Sequence, residues 1–123
     1  MLAARNLSYS IGPSGTYVEQ LFERWGILQT ITNKIVIAPP GVPVRTLVAN
    51  GECELGFQQM SELMNLQGIH VLGPLPASIQ TLTVFSGGIS SGCRAPEAAR
   101  RVLDYMASTA AAELRRRYGM EAP

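Results

Sequence analysis

The sequence predicts an α/β domain with a mostly parallel sheet and flanking helices. Short apolar, β-branched runs alternate with runs whose apolar residues recur at helical spacing, and turns rich in Gly and Pro separate them. The 123 residues are 46% hydrophobic and 15% charged, which is a globular composition for about one domain. Strands that alternate with helices at this spacing are typical of βαβ units, in which neighbouring strands run parallel.

The first predicted unit is a strand, a turn and a helix. Residues 7–12 are apolar and β-leaning, and the chain continues as SIGPSGTYV from Ser10 to Val18. Because Gly and Pro are costly inside regular elements, residues 12–15 mark a connection. From Thr16 onward, apolar residues recur at helical spacing until Gly26 stops the helix.

The next units continue the alternation. Residues 31–38 contain KIVIA, a run too apolar to be half solvated, so we predict a central strand covered on both faces. A helix over residues 44–50 follows the Pro-rich turn and ends at Gly51. Further strands are predicted at ELGFQQ and IHVLG, with a short helix at SELMNL between them.

The last third is predicted to cross the fold and then form helices. Residues 78–89, SIQTLTVFSGGI, are interpreted as an extended crossing segment. Pro96 begins a helix, and a last helix, with Ser108 as its cap, ends near Gly119. We therefore predict an α/β binding lobe in residues 1–77 and a crossing strand with C-terminal helices in residues 78–123.

Charge and hydropathy exclude several classes of partner. The formal net charge is +1, which gives no long-range field to attract nucleic acid or an anionic membrane. The run Arg115–Arg117 complements a helix C-terminus and is thin support for nucleic-acid binding. No stretch approaches the ~20 apolar residues that span a bilayer, and MLAARNLSYSIG lacks the apolar core of a secretory signal. We expect a soluble chain without membrane insertion.

The sequence offers little for catalysis or metal binding. His70 lies in the predicted strand IHVLG, where a structural histidine is expected, and Asp104 is the sole aspartate. No nucleophile elbow, phosphate-binding loop or metal-ligand spacing occurs, so we expect no enzyme activity, cofactor or metal. Cys53 is expected to be a small buried side chain, and a disulfide with Cys93 stays open.

Two connections have the form strand, Gly/Pro-rich turn, helix: SIGPSGTYVEQL and VIAPPGVPVRTL. A helix N-terminus leaves backbone N–H groups unpaired and carries about half a positive charge. Glycine allows a ligand close to that backbone, so each tip could hold a small anion without any lysine or arginine. The alternative is that Ser14 and Thr16 simply cap the helix, which is the commoner role of such residues.

Four segments, in order, resemble the second half of molybdate-type periplasmic solute-binding proteins of ABC transporters. They are SYSIGPSGTYVEQLFERWGI, LVANGECELGFQQMSEL, VLGPLPASIQTLTVFSGGI and PEAARRVLDYMASTAAAELRRRYGME. The resemblance extends from Asn6 to Glu121, and its most specific pieces are GE, LG and SE in the second segment and the GPLP turn. It implies one lobe of a type 2 periplasmic binding fold.

The resemblance also implies a binding site made of neutral donors. The family holds an oxyanion with backbone N–H groups and hydroxyls, which here correspond to Ser14, Gly15, Thr16, Gly41, Val42 and Gln59. Gln59 stands where molybdate binders often have a tyrosine, which keeps a donor but changes its reach. The family's first lobe has no counterpart in this sequence, so we expect either a fragment or a short protein.

The function implied is capture of a small oxyanion, such as molybdate or a related anion, for an ABC permease if a partner lobe exists. The resemblance implies a periplasmic location, although the lack of a signal leaves the cytoplasm open. The alternative is an oligomerising interaction module or ligand sensor without transport. In that case Leu82, Val84 and Phe85 lack cover, and we expect a homodimer or an exchanged-strand oligomer.

Overall fold

A computed structural model describes residues 1–121 of the chain. It contains two compact units, the first comprising Met1–Thr81 and the second beginning at Leu82. Each unit is described separately below. The functional division of the chain at residues 77 and 78 stays a prediction.

The first unit is built on a three-stranded parallel sheet. Its strands are β1 (Leu7–Tyr9), β2 (Ile35–Ile37) and β3 (Leu55–Phe57), in the order β2-β1-β3. Leu7 is opposite both Ile35 and Leu55 in the register, so the three strands start level with one another. The parallel sheet with flanking helices confirms the predicted α/β class.

The prediction that residues 31–38 form the central strand of the sheet is wrong. The run IVI forms β2, which is at the edge of the sheet, and Val36 and Ile37 are 38% and 44% exposed. The central strand is β1, whose residues are all buried. The apolar content of a run predicts a strand, whereas the position of the strand in the sheet depends on the crossover connections. Here the chain passes from β1 to β2 on one side and then crosses to β3 on the other side. β1 therefore has a paired strand on each side.

The first unit contains the three predicted helices, with different ends, and one short helix, the second along the chain, that was not predicted. They are α1 (Pro13–Arg24), α2 (Leu28–Ile31), which continues as a 3₁₀ turn (Thr32–Lys34), α3 (Val44–Ala49) and α4 (Met60–Leu63). The first helix begins at Pro13, three residues before the predicted start, because proline suits the first helical position and needs no hydrogen-bond acceptor there. Gly26 and Gly51 have positive φ after α1 and α3, as expected for residues that end helices.

Two apolar clusters hold the sheet to its helices. Side chains alternate between the faces of a strand, so Leu7 and Tyr9 lie on one face of β1 and Ser8 on the other. The first cluster joins Leu7 and Tyr9 to α1 and α2, and Phe22 is at its centre, in edge contact with the rings of Tyr9 and Phe57. The second cluster lies under α3 and contains Ala38, Val44, Leu47 and Cys53.

The predicted strand IHVLG is absent. Residues 69–73 are irregular, and His70 is exposed rather than enclosed in a sheet. The predicted crossing segment, residues 78–89, is likewise without strand pairing. An apolar run becomes a strand only when a neighbour accepts its hydrogen bonds, and β3 is the last strand that the sheet pairs in the described chain.

The second unit contains α5 (Pro96–Ala107), a 3₁₀ turn (Thr109–Ala111) and α6 (Ala112–Arg117). The guanidinium group of Arg115 donates to the backbone carbonyls of Met106 and Ser108, and so fixes the turn between the helices. Ser108 occupies the predicted cap position, but its hydroxyl donates to the Tyr105 carbonyl at 2.7 Å instead of capping. Helices long and apolar enough to cross a membrane do not occur in residues 1–121.

Candidate functional site

A hollow of about 300 Å³ lies beyond the carboxyl ends of β1 and β2. In parallel sheets these ends meet at one edge, where ligands of open α/β folds bind. The turn after β1 leads directly into α1, so the first turns of that helix form one side of the hollow. The lining residues are Tyr9, Ser10, Ile11, Thr16, Glu19 and Ile37.

The first turn of α1 provides two backbone amides. Gly12 is the N-cap residue and makes no side-chain cap, and Pro13 has no N–H group. The amide of Thr16 donates to the Gly12 carbonyl at 3.0 Å, and the Thr16 hydroxyl donates to the same oxygen at 3.3 Å. The amides of Ser14 and Gly15 therefore stand at the positions that helix geometry leaves without an intrahelical acceptor.

Gly15 has a packing role in addition to its predicted ligand role. A β carbon on this residue would stand 1.6 Å from the Ser10 carbonyl oxygen and 2.7 Å from the Ser10 carbonyl carbon. Only glycine lets the helix approach the end of β1 so closely. This contact fixes the start of α1 against the sheet edge where the hollow lies.

The tip of α3 differs from that of α1. Gly41 has a φ of +79° in a tight turn, and the Val42 amide donates to the Pro39 carbonyl at 3.0 Å. The backbone amide of Arg45, in the first turn of α3, donates to the Gln58 side chain at 3.2 Å. The Val42 amide is therefore used by the turn itself in this structure.

The predicted ligand residues come together only in part. Thr16 lines the hollow, whereas Ser14 and Gly15, which precede it in the first turn of α1, are not among the lining residues. Gly41, Val42 and Gln59 do not line it. Gln59 is the N-cap residue of α4 and makes no side-chain cap, whereas its neighbour Gln58 is the residue that contacts α3. Ligand binding by any of these residues stays a prediction.

Tyr9 and Glu19 line the hollow and were missed by sequence reasoning. Burial raises the pKa of the Tyr9 phenol, and the neighbouring carboxylates of Glu19 and, more weakly, Glu23 raise it further. The spacing could have indicated Glu19, because residues three apart on a helix share a face and Glu19 follows Thr16 by three. None of the described residues that line the hollow is a lysine, arginine or histidine. Glu19 is therefore the one formal charge in that lining.

The cysteines and acidic residues do not form a metal centre. Among residues 1–121, no group of three or more His, Cys, Asp or Glu side chains is placed to hold a metal ion. Cys53 and Cys93 are both free thiols, and Cys53 is buried as predicted. Burial raises the pKa of the Cys53 thiol, which makes the reactive thiolate scarce.

Comparison with known proteins identifies the class. The family described as bacterial extracellular solute-binding protein matches residues 7–121, which is nearly the whole chain. The chain belongs to this family, which confirms a solute-binding fold and agrees with a small-molecule ligand. The family is described as extracellular, which agrees with action outside the cytoplasm.

One relative gives a more specific comparison than the family does. The chain is 40% identical over 111 residues to an aconitate isomerase from a Pseudomonas species. The matched region is 89% of this chain but 42% of that relative, so the chain spans less than half of the relative's length. No solved structure matches the chain.

Proposed function

We propose that the chain binds a small organic anion that carries carboxylate groups, as one lobe of an extracellular or periplasmic solute-binding protein. The observation that carries this proposal is the position of the hollow. It lies at the carboxyl edge of the sheet and is lined by Thr16 of the first turn of α1. Ser14 and Gly15 precede Thr16, and their amides are at positions without an intrahelical acceptor. One carboxylate of the ligand accepts hydrogen bonds from these amides.

Helix electrostatics favour an anion at this place. The α1 helix has 12 residues, and its peptide dipoles give about half a positive charge at the N-terminus. The first turn of α1 carries no acidic residue that would compete with a ligand. A carboxylate there gains charge-assisted hydrogen bonds, which are about twice as strong as neutral ones.

Two observations support a carboxylate over molybdate. The volume of about 300 Å³ is at the lower end of pockets that hold organic ligands, so a small acid fits it. The Pseudomonas relative is named for aconitate, an organic acid. Binding of molybdate and other inorganic oxyanions is measured in the same experiment as binding of the organic acids. The same proposal includes delivery of the ligand to an ABC permease. It also includes that the chain binds the ligand without changing it covalently.

Isothermal titration calorimetry tests the proposal with aconitate, citrate, succinate, molybdate, tungstate and sulfate. Saturable binding of one or more of the organic acids supports it. The Ser14→Ala variant removes a hydroxyl beside the amides, and we expect a two- to fivefold weaker affinity, since a single neutral hydrogen bond contributes about 1 kcal/mol. The matched control is Ser61→Ala, because Ser61 lies in the first turn of α4, away from the hollow. Binding of molybdate alone would contradict the carboxylate assignment.

A second candidate function is isomerisation of aconitate, which the 40% identity to the Pseudomonas enzyme favours. In that case the chain converts its ligand instead of only holding it. Proton NMR of one aconitate isomer, incubated with the chain, distinguishes the two functions. Appearance of a second isomer, at a rate proportional to protein concentration, supports the isomerase. An unchanged spectrum together with saturable binding supports the binding lobe.

A further inference from the structure

The Glu19 carboxylate is a hydrogen-bond acceptor placed in the hollow where the ligand is proposed to bind. Glu19 is exposed, and no described lining residue is a cation that could neutralise it. An ionised carboxylate can only accept hydrogen bonds. A ligand group beside Glu19 is therefore favoured if it is a donor and disfavoured if it is a second anion.

The other polar groups in the lining are already committed to the protein. The Thr16 hydroxyl donates to the Gly12 carbonyl at 3.3 Å, and the Ser10 hydroxyl oxygen accepts from the Gly12 amide at 3.4 Å. The Tyr9 phenol belongs to the apolar core and is a hydrogen-bonding neighbour of Glu19, which leaves the second oxygen of the Glu19 carboxylate for a ligand. Glu19 is thus the exposed polar side chain of the hollow that has the most capacity left for a ligand.

The helix sets the distance between the two ends of such a ligand. Glu19 follows Gly15 by four residues, which is one turn of α1 or about 6 Å along the helix axis. Thr16 of the first turn and Glu19 both line the hollow, so the start of α1 and the Glu19 carboxylate border the same space. A separation of this size suits an acid of about four carbons.

We propose that Glu19 determines specificity by accepting a hydrogen bond from a hydroxyl or ammonium group of the ligand, so that the hollow prefers a carboxylic acid with such a donor. This inference rests on the proposed function, because the carboxylate end of the ligand binds at Ser14 and Gly15. It adds that, among acids of similar size, one without such a donor binds more weakly than one with it, and that Glu19 is the residue which makes this difference.

Three four-carbon dicarboxylates test the proposal in a matched set. L-Malate has a hydroxyl donor, L-aspartate has an ammonium donor, and succinate has neither. Their affinities are measured by calorimetry for the native chain and for Glu19→Ala. We expect malate or aspartate to bind the native chain about tenfold more tightly than succinate, which is the range of a hydrogen bond to a charged group. If only malate binds more tightly than succinate, the donor is a hydroxyl group, and if only aspartate does, the donor is an ammonium group. In Glu19→Ala the preference falls to within twofold.

Two further variants test whether the charge of Glu19, and not a loss of folded protein, sets the affinities. Glu19→Gln keeps an acceptor but removes the charge, so we expect succinate to bind it about threefold more tightly than it binds the native chain. Glu52→Gln makes the same change of charge before β3, at the amino end of the strands, and should leave all three affinities unchanged because Glu52 does not line the hollow. Circular dichroism melting curves establish that each variant is folded.

The outcomes separate the inference from the proposed function. Equal binding of the three acids by the native chain overturns the role of Glu19, as does a preference that persists in Glu19→Ala. Failure of all three acids to bind the native chain and every variant overturns the proposed function, and this inference with it.

Discussion

The α carbon of Gly15 lies so close to the Ser10 carbonyl that a β carbon would stand 1.6 Å from its oxygen. This contact joins the end of the central strand to the start of α1. It involves backbone on both sides, so neither partner can rotate away. The position of the candidate site therefore depends on a residue that has no side chain.

Replacement of Gly15 by alanine should destabilise the protein severely. Overpacking against side chains costs about 1–3 kcal/mol, and a clash with backbone should reach about 3 kcal/mol or more. Urea unfolding followed by circular dichroism measures the change. The control is Gly12→Ala, whose β carbon would meet only the Ser10 hydroxyl at 3.5 Å. If Gly15→Ala unfolds at the same urea concentration as the native chain, the described contact is wrong.

Gly56 of β3 provides a second packing test, on the opposite face of the sheet. A β carbon there would lie 2.7 Å from a Val44 methyl group and 2.8 Å from a Val48 methyl group. We expect Gly56→Ala to lower the free energy of unfolding by about 1–3 kcal/mol. Because Val48 is one of the two obstacles, the double variant Gly56→Ala/Val48→Ala should be more stable than the sum of the single changes predicts. Strict additivity of the two changes would count against this packing.

The Tyr9 phenol should make the stability of the first unit sensitive to high pH. Its pKa lies above the ordinary value of 10.0, because burial and the nearby Glu19 and Glu23 carboxylates disfavour the phenolate. The unfolded chain releases this proton first as pH rises, so the folded state loses stability above about pH 10. Below that pH the contribution is fully present.

Denaturant midpoints between pH 8 and pH 11 measure this loss. The decline should be shallower in Tyr9→Phe, which cannot ionise at this position. The control is Tyr105→Phe, because Tyr105 is exposed on α5. Identical pH profiles for the native chain and Tyr9→Phe would refute the assignment.

The exposed apolar side chains of the second unit predict self-association. Leu82, Val84 and Phe85 are 77%, 81% and 65% exposed, and α5 has no buried residue. Large apolar side chains exposed together favour an interaction site. We expect a homo-oligomer by light scattering, and we expect Val84→Glu with Phe85→Glu to shift it toward monomer. A monomeric mass for the native chain over a hundredfold range of concentration would contradict this prediction.

The sequence predicted local structure better than it predicted which strands pair in the sheet. The helix ends at Gly26 and Gly51 depend on residues adjacent in the chain and were predicted, whereas the start of α1 at Pro13 was predicted three residues too late. The edge position of IVI and the loss of IHVLG depend on which strands pair, and apolar content carries no such information. Both runs contain several apolar residues, but only IVI has a partner in the sheet.

The candidate site was predicted in the same uneven way. Ser14, Gly15 and Thr16 were found because a strand, a glycine-containing turn and a helix form a recognisable unit. The hydrogen bond from the Val42 amide to the Pro39 carbonyl could not be predicted, because it depends on how the turn folds. Glu19 was overlooked because a charged residue on an amphipathic helix is usually only a solvated one, and its place in the hollow depends on tertiary structure.

The most direct measurement is an NMR titration of the ¹⁵N-labelled chain with aconitate, which maps the binding site by residue. The account predicts saturable shifts that are largest for the amides of Ser14, Gly15 and Glu19, with little change in the helices of the second unit. Absence of saturable shifts, or shifts centred on α3 or on the second unit, would contradict the claim that the first turn of α1 holds an organic anion.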